Sequence, residues 1–135
     1  LPVEVEAFVR EYLGSLYTFN RLTVRSNLDE AFARTAPDAQ GQVKLCADLA
    51  ARADLIGRSG QGMCKVLSVS ITESKPNLAV QAIFQKTVLA ANDEPVQDRR
   101  YLAVLRLKVV GRTVANAHGL VVVEYNESEF QEGNP

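Results

Sequence analysis

Residues 63–72 read Met-Cys-Lys-Val-Leu-Ser-Val-Ser-Ile-Thr, and this stretch decides the fold class. Leu67, Val69 and Ile71 fall on one face, with Val66, Ser68, Ser70 and Thr72 on the other. Such alternation, rich in β-branched residues, marks a strand with one buried face. The pattern recurs. In residues 78–91, Leu78, Val80, Ala82, Phe84 and Val88 oppose Ala79, Gln81, Ile83, Gln85 and Thr87. In residues 99–110, Tyr101, Ala103, Leu105, Leu107 and Val109 oppose Arg100, Leu102, Val104, Arg106 and Lys108. Residues 119–125 predict a fourth, shorter strand. All connections are short, so the strands should pair as an antiparallel meander. Turns are expected at 73–77, with Pro76-Asn77 as the signal, and at 92–95. Gly111-Arg112 suits a tight turn, and the residues up to Gly119 then form a loop or bulge.

Before the strands the period changes. Val5, Phe8, Val9, Tyr12, Leu13 and Leu16 have the spacing of an amphipathic helix over 3–18. Glu4, Glu6 and Glu11 suit the positive end of its dipole. Ser26-Asn27-Leu28-Asp29 resembles a capping box, which predicts a second helix from Ser26 that Pro37 stops. Asp38 caps a third, whose stripe is Val43, Cys46, Leu49, Ala50, Ala53 and Ile56 and which Gly57 and Gly60 end. Three helices followed by four antiparallel strands argue an α+β domain, with the helices covering one face of a curved sheet. The expected organisation is a single domain over 1–135: a helical layer (1–57), a sheet (63–125) and a flexible tail (126–135).

A chain of 135 residues can bury a sizeable core without a metal or disulfide staple. Its net charge of −1, with 23% charged residues, argues against disorder and against general affinity for nucleic acid. No apolar run reaches the ~18 residues that cross a bilayer. The chain begins at Leu1, so it is read as a mature product or an excised domain. Cys46 and Cys64 match no zinc spacing. Cys46 is placed well inside a helix and Cys64 at a strand start, about 15 Å apart where a bridge needs about 6 Å. They read as two small buried hydrophobes, a single disulfide being the alternative.

The inventory of chemical groups is thin. His118, the single histidine, sits in a predicted turn, where a general base would need an orienting partner and a closed pocket. Asp93, Glu94 and Asp98 read as solvated acids, and no nucleophile elbow or phosphate loop is present. No catalytic residue, cofactor or metal site is expected, and the chain reads as a non-enzyme. Arg99, Arg100, Arg106, Lys108 and Arg112 form a run without an acid, of which Arg100, Arg106 and Lys108 share a strand face. That face lacks the aromatic platforms single strands need, so direct nucleic-acid binding is not expected. Docking of an acidic partner or a sister copy fits it better. Tyr12 and Tyr17 are read mainly as core and secondarily as contact residues.

The element order is that of the cone-shaped, nuclear-transport-factor-like fold. Within it the chain resembles the periplasmic domain of the bitopic inner-membrane component of type IV secretion and conjugation machines, the VirB and Tra families. The residues that carry the resemblance are 12–20, the capped helix ending at Ala36-Pro37, and Arg106-Leu107-Lys108-Val109-Val110 running into Asn116-Ala117-His118-Gly119-Leu120-Val121-Val122. The last segment looks like the Dot/Icm and I-type conjugation branch, with Ala117 where that branch often has proline. The resemblance implies a non-enzymatic assembly component that bridges inner-membrane and periplasmic parts of the machine and self-associates. It also implies a membrane anchor preceding Leu1, the only link to the bilayer. The alternative is a small-ligand-binding or enzymatic domain of the same fold. A scaffold should fill the space behind the sheet with Phe32, Leu49, Phe84 and Leu105; an enzyme should leave it hollow and polar.

Overall fold

The computed structural model describes residues 2–75 and 77–130, so Pro76 of the first expected turn and residues 131–135 of the expected tail lie outside the described residues. Helices α1 (Pro2–Tyr17) and α2 (Val24–Ala33) are followed by a 3-10 turn (Pro37–Ala39), α3 (Gln40–Ala47) and α4 (Leu49–Gly57). Strands β1 (Gln61–Glu73), β2 (Leu78–Leu89), β3 (Pro95–Val109) and β4 (Leu120–Glu129) form one antiparallel sheet in the order β1-β2-β3-β4. The fold is α+β, with helices on one side of a four-stranded meander.

Val5, Phe8, Val9, Tyr12, Leu13 and Leu16 are all completely buried, as the spacing of α1 requires. They meet Val80, Phe84, Leu105 and Val122 from the sheet. Burial of this set is the main stabilising contribution, at roughly 25 cal/mol per Å² of apolar surface removed from water. The same stripe takes in the two tyrosines of α1, as their main reading as core expects, and their burial leaves the secondary reading as contact residues without an exposed surface. Tyr12 is sealed in, with its hydroxyl 2.7 Å from Thr35 Oγ1, and Thr35 donates to the Ala31 carbonyl at 2.7 Å. Tyr17 is buried beside Phe84, their ring centroids 5.4 Å apart, and its hydroxyl donates to Glu127.

Three departures from the expected pattern have local causes. Leu67 has no cross-strand partner, because Val66 faces Phe84 and Ser68 faces Ile83. This bulge turns both Val66 and Val69 toward the core, which strict alternation forbids. Arg10 Nη1 donates to the Val66 carbonyl at 2.9 Å, so the bulge leaves that acceptor satisfied. The second helix begins at Val24, ahead of the expected Ser26, because Asn20 Oδ1 accepts from the Leu22 and Thr23 amides at 2.8 and 3.0 Å. The expected third helix is two helices. Asp48 adopts a left-handed backbone (φ 48°, ψ 69°), and its carboxylate accepts from the Ala51 amide at 3.2 Å to start α4.

Edges of the sheet are closed by the helical layer. Ala36 N–H donates to the Val122 carbonyl and Val122 N–H to the Arg34 carbonyl, both at 2.8 Å, which covers β4. Phe19 and Gly62 exchange both backbone hydrogen bonds at the start of β1. β4 runs to Glu129, beyond the expected end at Tyr125, so residues 126–129 are strand and not tail. Gly119 closes the β3–β4 loop at φ 66°, where a Cβ would lie 2.9 Å from the Val110 carbonyl oxygen. Gly119→Ala should therefore cost about 1–2 kcal/mol in urea unfolding, whereas Gly111→Ala, whose Cβ meets nothing within 4 Å, should cost far less.

Candidate functional site

Beyond Ala82 and Ala103 the helix-covered face of the sheet stops being aliphatic. Tyr101, Lys86 and Glu127 continue the inward positions of β3, β2 and β4, and α3, α4 and the end of α1 stand opposite. Between these walls lies a cleft of about 480 Å³, open along one side and floored by Tyr17, Lys86, Tyr101 and Glu127. The expectation of a solid interior holds at the α1 end, where Phe84 and Leu105 are fully buried, and fails here. Leu49, named as a filling residue, is 38% exposed because the Asp48 break turns it outward.

The floor is a closed electrostatic unit. Lys86 Nζ pairs with Glu127 Oε2, and Tyr17 and Tyr125 both donate to Glu127 Oε1, the latter at 2.9 Å. The ammonium also sits 3.9 Å from the Tyr17 ring centroid and 4.1 Å from that of Tyr101, an aromatic box for a cation. Burial pushes the Glu127 carboxyl up to about 8 and the Lys86 ammonium down to about 8. Arg52 of α4 forms the adjoining wall, its guanidinium carbon 4.3 Å from the Phe19 ring centroid. Cys46 and Cys64 flank Lys86 as free thiols, both with pKa raised by burial.

The expected basic stripe is divided by the fold. Arg100, Arg106 and Lys108 share the outer sheet face, with Leu102 and Val104 between them. Arg106 is paired there with its cross-strand neighbour Glu124 at 3.1 Å. Arg99 falls on the Tyr101 side and meets Glu129 at 3.7 Å, while Arg112 in the β3–β4 loop meets Glu4 at 3.7 Å. Lys86, Glu127 and Arg52 were not singled out in the sequence. The signal for Lys86 was present, as the lone charge in the inward series Val80, Ala82, Phe84, Lys86, Val88.

His118 lies outside the cleft, against α1. Its Nδ1 is 2.8 Å from Glu4 Oε2 and its Nε2 is 2.6 Å from Glu11 Oε2. Two carboxylates on two ring nitrogens favour the imidazolium, so the His118 pKa is raised, chiefly by Glu4, and that of Glu4 is lowered by His118. A raised histidine pKa adds stability that is full below about 6.5 and is lost as pH rises through the folded value. The lowered Glu4 adds stability above its usual range that is lost as pH falls through its folded value. His118→Gln should thus reduce urea stability more at about pH 5.5 than at about pH 8.5. An equal loss at both would mean the histidine is neutral here.

A four-stranded antiparallel sheet with its helices on one face, packed at one end and open as a cleft at the other, defines an α+β domain. The chain belongs to the VirB8 family: the family model described as VirB8 protein matches residues 3–129. It is accordingly a type IV secretion component. Solved structures share the fold. The soluble domain of TrwG from the type IV secretion machinery of Bartonella grahamii is 16% identical, with a TM-score of 0.80 over 96% of this chain and 94% of that one. The VirB8 protein of Agrobacterium tumefaciens is 18% identical, with a TM-score of 0.74 over 98% and 94%. The periplasmic domain of DotI is 12% identical, with a TM-score of 0.72 over 92% of each chain. No curated protein matches. Among the described residues no helix is long and apolar enough to cross a membrane.

Proposed function

We propose that this chain is a periplasmic, non-enzymatic assembly domain that bridges inner-membrane and periplasmic parts of a type IV secretion or conjugation machine and associates with copies of itself. The observation that carries this reading is the outer sheet face. All the buried helical residues pack on the other side, leaving Arg100, Leu102, Val104, Arg106 and Lys108 along β3 in contact with solvent. Mixed aliphatic and arginine surface of that kind suits a protein contact. The two groups best suited to acid–base chemistry, Lys86 and Glu127, are spent on each other, which supports contact work over turnover.

A photo-crosslinking residue in place of Val104, in the full-length protein in its native membrane, tests this. The expected products are adducts with other machine proteins and with a second copy. Adducts no more abundant than those from the same residue in place of the buried Leu105 would overturn it. One observation favours a second reading, ligand binding: the open, charged cleft between α4 and the sheet.

A further inference from the structure

We propose that this cleft receives a peptide segment of a partner protein, anchored by the carboxylate of an acidic side chain on Arg52. The inference rests on the reading of the chain as a contact-making component and names the chemistry of one such contact. Arg52 is only 5% exposed, yet its Nε and Nη1 have no hydrogen-bond partner among the described residues. Buried guanidinium donors without an acceptor are expensive, because the lost hydration is not replaced. Every other charge around the cleft already has a partner. Lys86 is closed by Glu127, Arg58 meets Asp54 at 3.4 Å, and the Asp48 carboxylate accepts from the Ala51 amide. Asp48 acts on Arg52 only through space, opposing the burial that lowers the guanidinium pKa to about 10, so Arg52 remains charged.

The unpaired cation selects the ligand. With Lys86 paired to Glu127 and Arg58 to Asp54, Arg52 is the lining cation left without a bonded counter-charge, which suits one negative charge, and the nearby Asp48 carboxylate would repel a doubly charged phosphate. A carboxylate can take two guanidinium N–H groups at once. The remaining lining favours an apolar neighbour of that carboxylate: Phe19, Leu55, Met63 and Val88. At about 480 Å³ the cleft lies in the ~300–1,000 Å³ range that takes a drug-sized ligand, enough for a few side chains and too small for a folded element. Its open side lets a chain enter and leave, as a segment of a partner must.

The test uses the Arg52 Nε–H resonance in a nitrogen-15 NMR titration of the described chain. The probes are acetyl-Leu-Glu-Leu-amide, the same peptide with glutamine, and sodium acetate. The glutamate peptide should shift that resonance saturably, and the glutamine peptide should bind at least about tenfold more weakly. Acetate alone should need a far higher concentration. Arg52→Lys, which keeps the charge and loses the planar fork, should weaken the glutamate peptide while leaving the rest of the spectrum in place. No shift with any probe would overturn the proposal and make Arg52 a water-satisfied arginine. Acetate binding as tightly as the peptide would overturn it too, in favour of a small-acid site. Either failure leaves the Val104 crosslinks untouched, so the contact-making role is judged separately.

Discussion

Lys86→Met should remove about 3–5 kcal/mol of stability, while Lys86→Met combined with Glu127→Gln should cost no more than about 1 kcal/mol. The Lys86 and Glu127 side chains are 15% and 7% exposed, so neither charge is hydrated when its partner is gone. Removing the lysine alone strands a buried carboxylate that still accepts from Tyr17 and Tyr125. Glutamine keeps one oxygen to accept both tyrosine hydrogen bonds without the charge, and methionine fills the aromatic box that the lysine stem occupied. Urea unfolding of the wild type, both single variants and the double variant gives the coupling energy directly. Additive single losses would mean that solvent reaches the pair and the cleft floor is wet.

Phe84→Ala should cost a similar amount, about 3–5 kcal/mol, by a different route. Phe84 is completely buried and stacks between Tyr17 and Tyr101, at centroid distances of 5.4 and 5.8 Å. It is the last apolar residue of β2 before Lys86, so it separates the packed end from the cleft. Its removal leaves a void that the stiff strands cannot close, and joins the cleft to the core. Leu102→Ala, on the outer face of the neighbouring strand, should lose less than about 1 kcal/mol. Equal losses at the two positions would contradict the assignment of the buried face.

Much of the fold is legible because periodicity speaks directly about burial. The stripe of α1 and the alternation of β2 and β3 needed no tertiary information, and their inward residues are those found in the core. What the chain conceals is phase. Nothing in Ser-Val-Leu-type alternation announces that Leu67 is extra, and a bulge there exchanges the faces of the strand behind it. Asp48 likewise hides a helix break, since neither glycine nor proline marks it. That break rotates α4 so that Arg52, and not Ala53, faces inward, which is why the expected stripe missed the buried arginine of the cleft. The acidic composition of 124–135 resembles a solvated end, which hides Glu127 in the expected tail. Its alternation with Tyr125 was the better guide. The candidate contact residues were legible as a charge run, but only coordinates separate the three on the outer face from Arg99 and Arg112.

Cargo transfer by the intact machine, in cells whose copy of the full-length protein carries Lys86→Met/Glu127→Gln, separates contact from chemistry. A domain that works through its surfaces should support transfer close to the wild-type level, while Val104→Asp on the outer face, equally well folded, should reduce it sharply. A loss of about a hundredfold or more in the double variant, with the Val104 variant unaffected, would contradict the account by assigning the work to the cleft pair and not to the outer face.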